Sequence, residues 1–300
     1  MYHIGIVTTG TDIDWASSGL LDAAQGMASG KIIDPLTFRL LMGQKPELTA
    51  EGQSLECFDA FLMRGFNRKG ETDYQYEILE LLQQRGKLVI NSPAALSVAE
   101  SKTQTTFLMD DAGLPVPRTL VTQSVEYALD TLGTFGKAVL KPPYGSLGKD
   151  IQIVEMEDAE VVLKKFFEKY HVLYMQEYIP HNGKDIRAFV VGDEVVAAIC
   201  RIAEEGQWRT NLALGGTGIA YEITPAVREM CIESARLVGL DYTGIDIVEG
   251  PNGPLILEVN GAPWWHGLYE ATGRNVAVDI VRHVISLLEN GKPARQPHGF

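Results

Sequence analysis

Residues 242–260 read YTGIDIVEGPNGPLILEVN, and the reading of this stretch decides the fold. Two apolar runs flank Gly250-Pro251-Asn252-Gly253-Pro254, a loop composition, so the segment is a β-hairpin. The second run leaves its apolar pattern at Glu258 and Asn260, which alternate onto one face of the strand. With the loop centred near Asn252, Asp246 stands directly across from Glu258, and opposed residues share a face. Three oxygen-bearing side chains then converge. A hard cation such as Mg2+ takes one or two carboxylates and leaves its other positions to water and substrate phosphates. The same pattern also describes carboxylates solvated on an open sheet face, and a one-residue slip would turn Asp246 to the other side. Just past the strand, GAPWWHGL (261–268) places Trp264 and Trp265 side by side.

Upstream, DIRAFVVGDEVVAAICRIA (185–203) is a second hairpin, centred near Asp193. That centring sets Asp185 across from Arg201, with Arg187 one step along on the same face. Arg209 and Asn211 follow in QWRTNLALGG. The set reads either as a cross-strand ion pair, worth ~0–1 kcal/mol if exposed, or as guanidinium groups placed to offset moving phosphate charge. Earlier still, KAVLKPPYGSLGKDIQIVE (137–155) is strand, glycine-bearing turn, strand. Backbone N–H groups of such a turn, at Gly145, Ser146 and Gly148, can approach phosphate oxygens, with Lys141 beside them. An ordinary hairpin turn has the same composition. A Walker loop is absent, since Asp150 stands where Ser or Thr should follow Lys149, and no GxGxxG follows the first strand, which argues against a dehydrogenase.

The first hundred residues differ. HIGIVTT, KIIDP, CFDAFLM and KLVINS are short apolar runs separated by helical stretches such as ETDYQYEILELLQQRG, the alternation of a parallel sheet with crossover helices. NSPAALSVAESKTQTTFLMDDAG then reads as one helix, with Ser92 as cap, Pro93 at the first position and Gly113 as stop. The expected architecture is α/β (α+β): a Rossmann-like parallel domain over 1–91, then antiparallel sheets in 92–175 and 176–300.

Composition bounds the partners. The 300 residues carry 26 basic and 39 acidic side chains, net charge −13, which disfavours nucleic acid or an anionic membrane as main partner. No apolar run nears the ~20 residues of a membrane span, and the start lacks a secretory pattern. Cys57, Cys200 and Cys231 match no zinc or redox spacing, so a reducing cytoplasm is expected. The six histidines lack metal-ligand spacing and read as surface or packing residues.

Taken in order, QEYI, DIRAFVVGDEVVAAICRIAEEGQWRTNLALGG, GIDIV and LILEVN resemble the ATP-grasp ligases, and within them the RimK-type α-L-glutamate ligases, from about Asn91 to the end. The resemblance implies the ATP-grasp fold: an N-terminal α/β domain and two subdomains closing on ATP. It implies Lys102 and Lys141 on ATP phosphates beneath the Gly145–Gly148 loop. Gln176, Glu177, Tyr178 and Ile179 would run along adenine, with Glu177 and Tyr178 offering backbone groups, and Asp185 would approach the ribose. Arg201, Arg209 and Asn211 would sit at the transferring phosphate, and two Mg2+ ions (or Mn2+) on Asp246, Glu258 and Asn260. The implied reaction couples a carboxylate to an amine through an acylphosphate, with L-glutamate and a small carboxylate acceptor as substrates and a dimer or tetramer as the assembly. The tryptophan pair resembles the branch that glutamylates tetrahydromethanopterin. Trp264 and Trp265 would then wall a pocket for a flat heterocycle, or else pack on the final helix, and Arg64 would hold an acceptor carboxylate. A protein tail or amino-acid carrier as acceptor, and an ATP-binding module without ligase activity, are the competing readings.

Overall fold

A computed structural model of the chain describes residues 1–9, 14–43, 45–145, 150–207, 209–210 and 215–299. Ser146, Gly148 and Asn211 fall outside them. The chain opens with β1 (His3–Val7), α1 (Trp15–Ala24), β2 (Ser29–Ile33), β3 (Phe38–Leu41), β4 (Glu47–Ala50), β5 (Gln53–Ser54), β6 (Ala60–Met63), α2 (Thr72–Gln84) and β7 (Leu88–Ile90). Strands β2-β1-β6-β7 form the expected parallel sheet. Its strands are near-continuous apolar runs because helices and loops cover both faces. A small antiparallel sheet, β3-β4-β5, is inserted before β6; its short, mixed strands gave no alternation to detect.

The single helix expected over 92–113 is two: α3 (Pro93–Glu100) and α4 (Lys102–Asp111). Ser101 ends the first and caps the second, accepting from the Gln104 amide at 3.3 Å. The signal was present as Ser-Lys-Thr-Gln, a capping-box spacing. Next come β8 (Thr119–Thr122), α5 (Val125–Phe135), β9 (Lys137–Lys141), β10 (Gln152–Glu155), α6 (Ala159–Tyr170) and β11 (Leu173–Glu177), with sheet order β10-β9-β11-β8. The last part holds β12 (Lys184–Val191), β13 (Glu194–Ile202), β14 (Thr217–Ala220), α7 (Pro225–Val238), β15 (Tyr242–Gly250), β16 (Gly253–Asn260), α8 (His266–Thr272) and α9 (Val276–Glu289). Its sheet order is β14-β13-β12-β15-β16, antiparallel throughout.

Core ownership cuts across the sequence boundaries. Ile4, Ile6 and Leu20 share one core with Phe189, Tyr242, Trp265, Ile280 and Val284, so the first sheet is fused to the last. Helices α3 and α4, placed by sequence with the residues up to 175, pack through Ala95, Val98 and Met109 onto the last sheet instead. Residues 119–177 form a lobe with its own core, including Leu132, Leu140, Leu163 and Met175. Asn91 locks the fused half. Fully buried, its amide donates to the carbonyls of Tyr242 (2.8 Å) and Gly261 (2.7 Å) and accepts from the backbone N–H groups of Asp241 (2.8 Å) and Tyr242 (3.2 Å). Every hydrogen-bonding position of that amide is used.

Candidate active site

Both hairpins reach the expected pairing by an irregularity. The β15–β16 turn is Pro251-Asn252, with Gly250 opposite Gly253 and Ile247 opposite Ile256. Strict continuation would pair Asp246 with Leu257. A one-residue shift between Asp246 and Ile247 leaves Leu257 over and brings Asp246 opposite Glu258, with Asn260 opposite Gly244. In β12–β13 a shift between Phe189 and Val190 likewise brings Asp185 opposite Arg201. A bulge re-aims the residues beyond it. Since Arg187 pairs with Asp246 across β12–β15, one face of the sheet carries Arg201, Asp185, Arg187, Asp246 and Glu258 as neighbours.

These charges are paired with one another. Arg201 donates to both oxygens of Asp185, at 2.7 and 2.5 Å, and its Nη2 lies 3.1 Å from Asp246. Arg187 grips Asp246 with both Nε and Nη2, the latter at 2.9 Å. Gly244 makes that reach possible: a Cβ there would stand 3.0 Å from Arg187 Nη1 and 2.9 Å from Pro263 Cβ. Burial works against the Asp246 carboxylate, but Arg187 and Arg201 outweigh it and hold its pKa below the ordinary value. Burial likewise opposes the charge on Arg201, and Asp246 and Asp185 raise its pKa in return. In so dry a row, removing one partner costs about 3–5 kcal/mol. With both oxygens already accepting from Arg201, Asp185 has only its remaining lone pairs for a ribose.

Glu258 is the open end of the row, with Lys102 Nζ 3.6 Å away. Asn260 donates to the Gly244 carbonyl at 3.0 Å, so its own carbonyl oxygen is the end left for a cation. Among the described residues no group of three His, Cys, Asp or Glu side chains gathers for a metal. With Asp246 held by Arg187 and Arg201, Glu258 and the Asn260 Oδ1 are the oxygens open to a cation and Asp246 has only its remaining lone pairs, a set that suits Mg2+ shared with substrate phosphates and not a closed protein cage.

Beside the row lies a small cavity, about 110 Å³, lined by Lys141, Gln176, Glu177, Tyr178, Ile179, His181, Asp185, Arg201, Arg209, Asp246 and Glu258. Residues separated by over a hundred positions thus meet between the 119–177 lobe and the last sheet. Lys141 donates to Gln176 Oε1 at 2.6 Å. Desolvation draws its pKa down to about 8, with Glu258 acting upward and Lys102 downward. Lys102 begins α4 and donates to the Gly145 carbonyl at 2.7 Å, tying that helix to the glycine turn, where Gly145 has φ +115°. The backbone N–H groups of Glu177 and Tyr178 donate to the carbonyls of Arg118 (2.8 Å) and Lys137 (3.0 Å), so neither is available to a ligand. Glu177 itself pairs with Arg118 at 2.7 Å.

Two residues take positions that the sequence did not assign them. Arg187 was visible only as a same-face neighbour, and it proves to be the main partner of Asp246. His181 lines the cavity with its ring 6.0 Å from Tyr178 and Nδ1 buried without a partner among the described residues; burial lowers its pKa against the pull of Asp185. An isolated histidine in a loop offers no periodicity to read.

The adjacent tryptophans part company. Trp265 is 1% exposed, packed at 5.7 Å against Phe189 and 6.3 Å against Trp15. It belongs to the core that includes the final helix, so a two-tryptophan wall is not what the fold makes. Trp264 is 57% exposed and lines two further cavities that meet at Glu258 and Asn260. Arg64 lines one of them, with its guanidinium 4.8 Å from the Trp265 ring.

Comparison with known proteins agrees with this geometry. The RimK-like ATP-grasp domain matches residues 99–284. The chain is 33% identical to the tetrahydromethanopterin:α-L-glutamate ligase of Methanosarcina acetivorans, over 96% of this chain and all of that one. It is 34% identical to a probable α-L-glutamate ligase of Pseudomonas aeruginosa over 87% of each. In structure it resembles the ATP-grasp ligase PsnB complexed with minimal precursor, with a TM-score of 0.78, 24% identity, and 95% of this chain and 99% of that one covered; this likeness concerns the fold. A bulge-aligned row of acids and guanidiniums beside a lysine-bearing cavity, on this fold and with these relatives, places the chain in the RimK-like ATP-grasp family, as an ATP-dependent amino-acid ligase.

Proposed function

We propose that the chain joins L-glutamate to a carboxylate-bearing small acid of the tetrahydromethanopterin type, using ATP whose base enters the small cavity between the 119–177 lobe and the last sheet. The observation that carries this reading is the bulge-set opposition of Asp246 and Glu258 beside Lys141. A free carboxylate is a poor electrophile because its leaving group would be oxide. Attack of its oxygen on the terminal phosphorus of ATP gives an acylphosphate and ADP. The glutamate amine then attacks the acyl carbon, inorganic phosphate departs with the C–O bond electrons, the amine loses a proton, and an amide remains. Such a sequence asks the protein chiefly to position groups and offset charge.

In this reading Lys102 and Lys141 hold phosphate oxygens. Gln176 to Ile179 lie along the base, and Asp185 serves mainly to hold Arg201. Arg201 and Arg209 stand by the phosphoryl group in transit; the same role for Asn211 is implied by the resemblance alone. Asp246, Glu258 and Asn260 would hold Mg2+, which when bound neutralises phosphate charge. Incubation with ATP, Mg2+, L-glutamate and tetrahydromethanopterin should give ADP and a product heavier by one glutamate residue. Glu258→Gln should lower kcat roughly 100-fold or more, the size of effect seen when a charge-stabilising group is lost, with unchanged thermal unfolding. Undiminished turnover in that variant would reject the metal assignment.

A further inference from the structure

Helix α4 packs with the fused half, yet one of its faces touches the 119–177 lobe twice. Lys102 and Thr106 lie four positions apart in it, about one helical turn, and so project from the same side. Lys102 donates to the Gly145 carbonyl in the glycine turn at 2.7 Å, and its backbone N–H reaches the Pro143 carbonyl at 3.4 Å. Thr106 meets the lobe's sheet, its hydroxyl 2.7 Å from that of Tyr174.

Strand register decides what Tyr174 touches next. Tyr174 stands opposite Lys141 across β9–β11, and Gln176 opposite Thr119 across β8–β11. Opposed residues share a face, as do residues two apart in one strand. Lys141, Tyr174, Gln176 and Thr119 therefore form one polar patch, on the face turned away from the lobe core of Leu140, Leu173 and Met175. Tyr174 and Gln176 are buried, so the patch must satisfy itself. An ammonium can only donate, so Lys141 orients the Gln176 amide with Oε1 toward it, at 2.6 Å. The Gln176 Nε2 then donates to Thr119 Oγ1 at 3.2 Å and, over a longer 3.4 Å, to the Tyr174 hydroxyl. Thr119 spends its own proton on the Pro117 carbonyl at 2.8 Å, which leaves its oxygen to accept. A continuous path thus runs from Thr106 on the body through Tyr174 and Gln176 to the lysine in the cavity.

Resting on the ligase reading above, in which Lys102 and Lys141 hold phosphate oxygens, we propose that Thr106, Tyr174 and Gln176 are positioning residues that aim Lys141 at the phosphates. Gln176 borders the base but acts through the lysine, with both its N–H groups and one Oε1 lone pair already committed. Helix α4 then sets both cations from one face: Lys102 directly, and Lys141 through the path that starts at Thr106. The two ammoniums keep their spacing while the lobe rests on the helix.

A double-mutant cycle on the affinity for a non-hydrolysable ATP analogue, measured by calorimetry at neutral pH with Mg2+, tests the assignment. Gln176→Leu should weaken binding roughly tenfold, the size that goes with losing one hydrogen bond to a charged group. Thr106→Val, two contacts further from the lysine, should weaken it roughly threefold. In a Lys141→Met background neither substitution should change the affinity further. The ratio of ADP to IDP affinity, which reports recognition of the base, should be the same in Gln176→Leu as in wild type. Full additivity with Lys141→Met, an altered ADP-to-IDP ratio, or wild-type affinity in Gln176→Leu or Thr106→Val would each overturn the inference. Should Gln176→Leu fail to fold, the same cycle run with Thr106→Val and Tyr174→Phe decides. Undiminished affinity in Lys141→Met would remove the underlying reading of that lysine as well; a marked loss in Lys141→Met to which Gln176→Leu adds in full would remove this inference alone.

Discussion

The half built from the first and last sheets and the lobe of residues 119–177 contribute to the same cavity by different means. In the fused half, side chains from β1, α1, β12, β15 and α9 share one core, and the Asn91 amide bonds link the two sheets' ends. The charged row and Arg64 are set in this body. The lobe has a core made wholly of its own residues and supplies Lys141 and the strip from Gln176 to Glu177. The charged row therefore sits on shared packing, whereas Lys141 and the strip from Gln176 to Glu177 sit on a unit able to open locally without disturbing it.

The sharpest break of that contrast is Trp265→Ala, which should cost about 3–5 kcal/mol, as for other buried tryptophans, in denaturant unfolding of the fused half. Its neighbour Trp264→Ala should stay within about 0.5 kcal/mol; similar losses for both would show that the two positions are not core and surface. Next in size is Leu163→Ala, fully buried in the lobe, at about 2–4 kcal/mol. Amide exchange should quicken across 119–177 and stay nearly unchanged in β15 and β16. Acceleration in both would mean that the lobe and body unfold as one.

The smallest effect is a pH dependence at Lys141. Its pKa of about 8 in the folded protein lies below the ordinary 10.5. As pH rises through about 8 the ammonium loses its proton, and affinity for the ATP analogue should fall several-fold between about pH 7 and 9.5. Lys141→Arg should flatten that profile, since a guanidinium keeps its charge throughout. Stability moves the other way: between about 8 and 10.5 the unfolded chain binds the extra proton, so this group's contribution rises with pH. Affinity and stability rising together would contradict the assignment.

The sequence made the two hairpins legible because glycine-marked turns fix pairing, and Asp246 opposite Glu258 and Asp185 opposite Arg201 followed from counting outward. That counting took the turn centre as Asn252, which absorbs the bulge without revealing it. The parallel first sheet was legible from the alternation of apolar runs with helices. What escaped was long-range: which core α3 and α4 join, and how Arg187 closes on Asp246, depend on packing between segments far apart in the chain. Trp264 and Trp265 stand in an irregular segment between β16 and α8, where neither a two- nor a 3.6-residue period says which ring turns inward.

The unpaired Leu257 gives the site an unusual tolerance. Exchanging its side chain alters little of the hairpin, and deleting that one residue would restore strict pairing with Glu258 still opposite Asp246 and Asn260 still opposite Gly244. At this one position the strand can be shortened as readily as respelled, whereas the loss of Val259 would turn Asn260 to the reverse side of the sheet.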